Sequence, residues 1–376
     1  MPEPAFTIGM EEEYLLVDKV TRDLATDPPA EMMKEAQSRL EGQVAPEFLR
    51  AQIEVGTRVC NNVQEARREL ARLRRGIAEV ADNYGLAPIA ASTHPFAVWY
   101  QQKHTDKERY DALTKEMQAA ARRLLICGMH VHVGIADNDL RIDLLNQFAY
   151  FLPHLLALSC SSPFWEGQNT GLKSYRLTVF DALPRTGLPE RFASYREYER
   201  HLEIMKDAGI LDDPTKIWWD MRLSARYPTL ESRITDICTR LDDAVALAAM
   251  TVCILSMLWR LRRNNQRWRE YANMLIMENR WRAMRYSFDE GLVDFGKGKV
   301  VPHDQMLDEL IELIHEDAVS RDCVREIESL RGILSRGTSA HRQVAVFEKA
   351  KSDGASHREA LNAVVDFLIA ETQLGI

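Results

Sequence analysis

The segment Gly9 to Asp18, GMEEEYLLVD, places three consecutive carboxylates inside an otherwise apolar run. From Phe6 to Val17 apolar residues alternate, which predicts a β-strand with Glu11 and Glu13 on one face. Glu12 then falls on the apolar face, an awkward position unless that end of the sheet is exposed. Because neighbouring carboxylates repel one another, we expect this strand to need cations that the sequence itself does not contain.

Two more glutamates lie on other predicted strands. Glu54 lies in RAQIEVG, Arg50 to Gly56, and Glu231 lies in YPTLESRITDI after the turn at Tyr227-Pro228. Two carboxylates at alternate positions of a strand are about 6.7 Å apart, close enough to flank a metal ion. Mg²⁺ prefers hard oxygen ligands, so these side chains are candidate magnesium ligands. A solvated charged face is the alternative for the triple glutamate alone.

The position of Glu47 is less clear. Seven residues separate Glu47 from Glu54, a spacing that places the two on one face of a helix but on opposite faces of a single strand. We therefore leave Glu47 without an assigned role.

Two arginines are candidate ligands for a bound anion. Arg233 follows Glu231 by two residues and shares its face, although a cross-strand ion pair would explain the same pattern. Arg176 lies in a long Gly-, Pro- and Ser-rich segment, Ser159 to Pro189, near Lys173. Long loops of this kind are commonly functional, and we expect Ser161 to Pro189 to act as a lid.

His130 and His132 place two imidazoles on one face of a predicted strand. Zinc hydrolases use the same spacing, which leaves a zinc- or manganese-dependent hydrolase centred on these residues as an alternative function. Since no second histidine cluster accompanies them, the sequence supports this alternative only weakly.

Composition narrows the class of protein. With 376 residues, a formal net charge of −8 and no basic tail or stripe, the chain is not expected to bind nucleic acid. The uncharged run Ala244 to Trp259 is shorter than a membrane span, which predicts a buried core helix and no membrane partner. Scattered cysteines without a pairing pattern indicate reduced thiols in the cytoplasm: Cys60, Cys127, Cys160, Cys238, Cys253 and Cys323.

The order of elements predicts an α+β fold. Strands dominate residues 1–240 and helices residues 241–376, without a linker between them, so we expect a single catalytic domain over 1–376. An amphipathic helix is predicted between a cap at Asn62 and a stop at Gly85.

Six blocks of the sequence, in order between Gly9 and Gln343, resemble the YbdK-type carboxylate-amine ligases, also called glutamate-cysteine ligase type 2. These blocks are GMEEEYLLVD, STHPFAVW, CGMHVHVG, LSCSSPFWEGQNTGLKSYRLTVFDALPRTGLP, LESRITDI and ENRWRAMRYS. The resemblance implies a fold like the glutamine synthetase catalytic domain, with a curved, mostly antiparallel sheet and surrounding helices.

The resemblance also implies an activity. It indicates an ATP-dependent ligase that forms a γ-glutamyl amide through an acyl phosphate, with weak glutamate-cysteine ligase activity. The expected substrates are glutamate or a similar carboxylate and an amine such as cysteine. ATP and Mg²⁺, with Mn²⁺ as an alternative, are the expected cofactors, and a homodimer is the expected assembly.

Residue roles follow from the same resemblance. Matching positions imply phosphate contacts for Arg176 and Arg233. They imply metal ligation for Glu11, Glu13, Glu54, His130 and Glu231. Glu47 resembles an acidic ligand position in the wider superfamily but lies in a poorly defined block. His132, Asn279 and Arg282 lie in matching blocks, and we assign none of these four residues a role.

Overall fold

The computed structural model describes residues 3–376, and the side chains of residues 109 and 111–113 lie outside this description. The strands in the described range are β1 (Ile8–Asp18), β2 (Val44–Pro46), β3 (Gln52–Gly56), β4 (Leu86–Ile89), β5 (Met129–Gly134), β6 (Phe164–Trp165), β7 (Gln168–Asn169), β8 (Thr186–Gly187), β9 (Trp218–Trp219), β10 (Met221–Leu223), β11 (Thr229–Ser232), β12 (Leu292–Asp294) and β13 (Lys299–Val301).

The α-helices in the same range are α1 (Ala30–Arg39), α2 (Val63–Asp82), α3 (Glu108–Met117), α4 (Ala119–Arg122), α5 (Asn138–Phe148), α6 (Leu152–Ser159), α7 (Arg176–Phe180), α8 (Tyr195–Asp207), α9 (Leu241–Arg263), α10 (Asn273–Tyr286), α11 (His303–Ser320), α12 (Val324–Arg336), α13 (Ser339–Ser352) and α14 (His357–Thr372). As predicted, Asn62 caps α2, accepting a hydrogen bond from the Glu65 amide.

The main sheet is antiparallel, in the order β10-β11-β5-β1-β3-β2, and β4 pairs with the second half of β1. At 11 residues β1 is long enough to hold β5 and β4 in succession along one edge while β3 occupies the other. The expectation of an α+β fold with a mostly antiparallel sheet is confirmed. This topology places segments from distant parts of the chain beside the triple glutamate.

The two faces of β1 differ as the alternation predicts. Ile8, Met10 and Tyr14 are almost completely buried on the face that packs against α2 and α9. Glu11 and Glu13 lie on the opposite face, partly exposed. The period of two therefore separates an apolar face from a polar one.

Glu12 is fully buried on the apolar face. The expectation that an exposed end of the sheet would accommodate its charge is therefore wrong. Arg74 of α2 forms two hydrogen bonds with the Glu12 carboxylate, 2.8 Å from Nε and 2.6 Å from Nη2. The Tyr14 hydroxyl donates to the same carboxylate. Arg74 also donates to the carbonyl oxygens of Cys238 and Thr239, so both charges are satisfied within the core.

The prediction of a buried core helix is confirmed by α9. By length and composition α9 could cross a membrane, but 89% of its most apolar 18-residue window is buried inside the protein. Helices α2, α11 and α12 pack around it. Apolar side chains from Phe6 to Leu368 form one buried cluster.

The segment Ser161 to Pro189 is ordered and partly buried rather than a simple loop, because it contains β6, β7, α7 and β8. Buried Asp236 anchors it by accepting hydrogen bonds from the Ser161 amide and from the hydroxyls of Ser162 and Ser174, at 2.7–2.8 Å. A lid movement of the whole segment would break these buried bonds, so the structure does not favour that expectation.

Candidate active site

One face of the sheet, the acidic face, collects the polar side chains of five strands and the turn after β2. Cross-strand register pairs Glu13 with Glu54, Glu11 with His130, and His132 with Glu231. Because paired residues of antiparallel strands point to the same side, these six side chains share the acidic face. Its ionisable members are Glu11, Glu13, Glu47, Glu54, His130, His132, Arg222, Glu231 and Arg233.

Within the acidic face two groups of three side chains can each hold a metal ion. Glu13, Glu47 and Glu54 form the first group, in which the ligand oxygens lie within 4.8 Å of one another. Glu11, His132 and Glu231 form the second group by the same measure. Carboxylate-rich groups of this kind suit Mg²⁺ or Mn²⁺.

The first group carries negative charge that the described residues only partly compensate. Burial, and then repulsion from Glu47, raises the pKa of Glu13 to about 7. Burial and the charges of Glu47, Glu11 and Glu13 raise the pKa of Glu54 well above its usual value. The Gly128 amide donates to Glu13 Oε2 at 2.7 Å, which offsets only part of the repulsion. A bound cation would remove the remainder, so these residues fit one.

The second group contains an unpartnered nitrogen. His132 Nδ1 is 3.0 Å from the Thr229 hydroxyl, which orients the ring. His132 Nε2 is buried and forms no hydrogen bond within the part of the chain that the structure describes, although it lies 3.3 Å from Glu11 Oε1. When Thr229 accepts the Nδ1 proton, the Nε2 lone pair faces a carboxylate oxygen, and a cation between the two would satisfy both.

Glu11 and His130 each affect the ionisation of the other. Burial opposes ionisation of Glu11, but the adjacent rings of His130 and His132 lower its pKa below the usual range. Burial and the Arg233 charge lower the pKa of His130 to about 4, so that its ring is neutral at physiological pH. His130 Nδ1 is 3.2 Å from Glu11 Oε2. His130 is not a member of either three-ligand group.

Glu231 lies between two guanidinium groups. Arg222 donates to both Glu231 oxygens, at 2.8 Å from Nε and 3.0 Å from Nη2, and Arg233 donates to Oε1. Burial would raise the pKa of Glu231, but the charges of Arg233 and Arg222 keep it below the usual range. Glu231 is therefore ionised and fixed in position.

Arg176 is a buried cation whose hydrogen bonds within the described residues go to backbone carbonyl oxygens. Its guanidinium donates to the Arg233 carbonyl oxygen at 3.3 Å, and its Nε is unpartnered. Burial lowers its pKa. A Cβ at Gly128 would lie 2.4 Å from Arg176 Nη2, so glycine at 128 leaves room for the guanidinium. Arg233 Nε is likewise buried and unpartnered, which leaves both residues able to bind an anion.

The roles of Glu47 and Arg222 are not visible in the sequence. A spacing of seven residues places Glu47 and Glu54 on opposite faces only if both belong to one strand, but β2 ends at Pro46 and β3 begins at Gln52. Ala45 is paired with Glu54, so Glu47, two residues later, joins the same face. Arg222 is paired with Glu231 across the hairpin. Knowledge of which residues pair across the β10–β11 hairpin would have identified Arg222 as the neighbour of Glu231.

Comparison with known sequences gives a consistent result. A profile of the glutamate-cysteine ligase family 2 matches residues 7–366. A protein of Rhodospirillum rubrum with the provisional name glutamate-cysteine ligase 2 is 60% identical over 376 residues, covering 99% of this chain and 97% of that one. A protein of Paracoccus denitrificans with the same provisional name is 53% identical over 369 residues, covering 98% of each.

Two solved structures share the fold. A glutamate-cysteine ligase of Francisella tularensis in complex with AMP matches with a TM-score of 0.69 at 13% identity, over 100% of this chain and 90% of that one. A bifunctional glutathione synthetase of Pasteurella multocida matches with a TM-score of 0.70 at 15% identity, over 98% of this chain and 52% of that one. At these identities the likeness concerns the fold alone.

Proposed function

The chain belongs to glutamate-cysteine ligase family 2, a family of ATP-dependent carbon–nitrogen ligases, and we propose that it joins the γ-carboxylate of glutamate or a similar acid to an amine. The resemblance inferred from the six sequence blocks is confirmed. One observation carries the proposal: two three-ligand groups, the buried Arg176 and the mostly buried Arg233 converge on the acidic face. Cysteine is one candidate amine.

The divalent cations of this proposal would be held by the two three-ligand groups. We assign Glu13, Glu47 and Glu54 to one site. We assign Glu11, His132 and Glu231 to the other, with His130 beside it. Bound Mg²⁺ or Mn²⁺ supplies positive charge that offsets the repulsion between ATP and a carboxylate substrate.

Arg176 and Arg233 would contact the phosphates of ATP. Arg176 is buried and the Arg233 side chain is 11% exposed, and the Nε of each has no hydrogen-bond partner among the described residues. A guanidinium in a buried site stabilises charge that spreads over the transferred phosphoryl group more strongly than one in water. Arg222 would keep Glu231 in position through its two hydrogen bonds.

The reaction proceeds in two displacements. An oxygen of the substrate carboxylate attacks the γ-phosphorus of ATP, ADP leaves, and an acyl phosphate forms. The amine nitrogen then attacks the acyl carbon and loses a proton, and inorganic phosphate leaves. Phosphate therefore carries away one oxygen that began in the carboxylate. Arg176 is buried and Arg233 is only slightly exposed, which limits the access of competing water.

The alternative of a zinc- or manganese-dependent hydrolase has no support from the family. In the structure His132 groups with two carboxylates, whereas His130 faces Glu11 and Arg233 and joins neither group.

Cytoplasmic location and a homodimeric assembly also belong to the proposal. The six cysteines are free thiols in the structure, as expected in a reducing compartment. Analytical ultracentrifugation at several protein concentrations would test the homodimer, and a single species of 43.1 kDa would contradict it.

Oxygen-18 labelling tests the chemistry. Glutamate labelled in its γ-carboxylate is incubated with the enzyme, Mg²⁺, ATP and a panel of amines that includes cysteine. ADP formation should require glutamate and an amine, and the phosphate released should contain one labelled oxygen. Label-free phosphate would contradict an acyl phosphate.

A matched pair of variants locates the reaction. Glu11→Gln should abolish ADP formation, whereas Glu348→Gln, which removes an exposed carboxylate from α13, should leave it unchanged. Equal activity of the two variants would show that Glu11 is not part of the active site.

A further inference from the structure

A buried ion-pair network joins the two segments that carry Arg176 and Arg233. Its centre is Arg280 of α10, whose side chain is only 2% exposed. Nε and Nη2 of Arg280 donate to the two carboxylate oxygens of Asp220, at 2.7 and 3.1 Å. Nη1 and Nη2 donate to the two oxygens of Asp181, at 2.7 and 2.8 Å. One guanidinium therefore binds two carboxylates, each through two hydrogen bonds.

Asp181 fixes the end of α7. This helix is five residues long and begins at Arg176, and Asp181 is its C-terminal cap. The Asp181 amide donates to the Leu177 carbonyl oxygen at 2.8 Å. Because a helix of this length has little stability of its own, the contact between Asp181 and Arg280 helps to hold the helix that carries Arg176.

Asp220 fixes the segment that follows β11. It lies between β9 and β10, and its side chain is 2% exposed. Its backbone carbonyl oxygen accepts hydrogen bonds from the amides of Arg233 and Ile234, at 2.8 and 3.1 Å. Arg176 in turn donates to the carbonyl oxygens of the same two residues, at 3.3 and 3.5 Å. The position of Arg233 therefore depends on Asp220 as well as on β11.

Arg280 itself is fully engaged in these contacts. A guanidinium has five N–H donors. Four of the donors of Arg280 bind the two aspartates, and Nη1 also contacts Met284 Sδ at 3.5 Å. With its donors occupied, Arg280 acts on a substrate through the residues that it holds and not by direct contact.

We propose that Arg280 is a positioning residue of the ligase. Through its two aspartates it fixes the distance between the guanidinium groups of Arg176 and Arg233, and hence their fit to the phosphates of ATP. This inference rests on the proposed function, in which both arginines contact those phosphates. A displacement of a binding group by about 1 Å can cost about 100-fold in rate, so small movements of the two guanidinium groups matter.

Calorimetric titration of the full-length protein with Mg²⁺ and the β,γ-imido analogue of ATP tests the inference, without glutamate or an amine. The variant is Asp181→Ala. The Asp181 side chain is 33% exposed and its loss leaves Arg280 paired with Asp220, so this variant should fold. We expect the dissociation constant of the analogue to rise about tenfold or more.

The same substitution in an Arg176→Gln background separates positioning from general destabilisation. There Asp181→Ala should change the dissociation constant less than about twofold, because the side chain that Asp181 positions is already gone. A merely structural role would weaken binding by the same factor in both backgrounds.

Asp243→Ala is the matched control. Asp243 also accepts two hydrogen bonds from an arginine, Arg336, at 2.6 and 2.7 Å, but this pair joins α9 to α12. Both variants should lower the melting temperature, and only Asp181→Ala should weaken binding of the analogue.

Equal dissociation constants for Asp181→Ala and Asp243→Ala would overturn the inference and leave the proposed function intact. An undiminished effect of Asp181→Ala in the Arg176→Gln background would do the same. Failure of the wild type to bind the analogue would overturn the proposed function and this inference together.

Discussion

Glu13 and Glu54 are directly opposite each other on adjacent antiparallel strands, and Glu47 brings a third carboxylate within 4.8 Å. Like charges in this position destabilise a sheet. The strand pairing persists because α2 and α9 bury the apolar face behind it. The folded chain therefore carries local repulsion that a divalent cation would relieve.

Glu54→Gln should affect stability and activity in opposite directions. In a chelator the variant should unfold with a free energy about 1 kcal/mol higher than the wild type, because one repelling charge is gone. Mg²⁺ should raise the melting temperature of the variant less than that of the wild type, because the variant keeps only the group of Glu11, His132 and Glu231 intact. Loss of about 3 kcal/mol of transition-state stabilisation should lower ATP turnover roughly 100-fold.

Scanning calorimetry with and without Mg²⁺ measures the change in stability. An assay of ADP formation measures the change in ATP turnover. The same measurements on Glu348→Gln provide the control, since that carboxylate is exposed and belongs to α13 rather than to the sheet. Equal stabilisation of the Glu54 variant and the wild type by Mg²⁺ would contradict a metal site at Glu54.

The pH dependence of stability should report on Glu13. Its folded pKa of about 7 is above the value of 4.5 for an unperturbed glutamate, so the folded state binds the proton more tightly. The stabilisation by this group is complete below about pH 4.5 and is lost as the pH rises through about 7. In a chelator, the stability of Glu13→Gln relative to wild type should thus increase from about pH 5 to 8, by on the order of 2 kcal/mol.

Urea denaturation of both proteins over this pH range is the measurement. Buried His94, His130 and His154 have pKa values lowered to about 4 and stabilise the fold less as the pH falls below about 6.5. His94 and His154 contribute equally to both proteins, so comparison of the two largely cancels the effect of the histidines. A difference that does not change with pH would show that Glu13 is ionised throughout.

The buried pair of Glu12 and Arg74 should be critical for folding. Arg74→Gln leaves an uncompensated carboxylate in the core and should lower the free energy of unfolding by about 3–5 kcal/mol. Arg75→Gln, at the exposed neighbouring position of α2, should change it by less than about 0.5 kcal/mol.

The double variant Glu12→Leu/Arg74→Met tests the physical cause. Since it removes both charges while keeping apolar volume, it should recover at least half of the lost stability in urea denaturation. If it is as unstable as Arg74→Gln, packing rather than the unpaired charge is responsible.

Gly128→Ala should displace Arg176 without unfolding the protein. The new methyl group would lie 2.4 Å from Nη2 and 2.8 Å from Cζ, so the guanidinium must move. We expect kcat/KM for ATP to fall about 10- to 100-fold, which corresponds to about 1.4–2.7 kcal/mol. Steady-state kinetics measure this change.

Gly332→Ala in α12 is the matched substitution, because its methyl group would make only an ordinary 3.7 Å contact with Arg336. It should leave kcat/KM unchanged. Wild-type kinetics for Gly128→Ala would show that the Arg176 position does not matter for catalysis.

Local pattern accounts for much of the agreement between sequence and structure. Alternation places Glu11 and Glu13 on one face of β1, the period of 3.6 predicts α2, and the turn at Tyr227-Pro228 predicts the β10–β11 hairpin. These features depend on residues a few positions apart, whose geometry is set by the backbone. The same local reasoning assigned no role to Glu47, because the chain turns between Pro46 and Gln52.

By itself, the sequence determined the α+β class, the faces of the strands, the family and most of the acidic residues. Only the tertiary structure decided which strands are neighbours, that Arg74 neutralises Glu12 across 62 positions, and that Gly128 admits Arg176. Pairing between distant segments depends on burial and packing summed over the whole chain, and no local period encodes that sum.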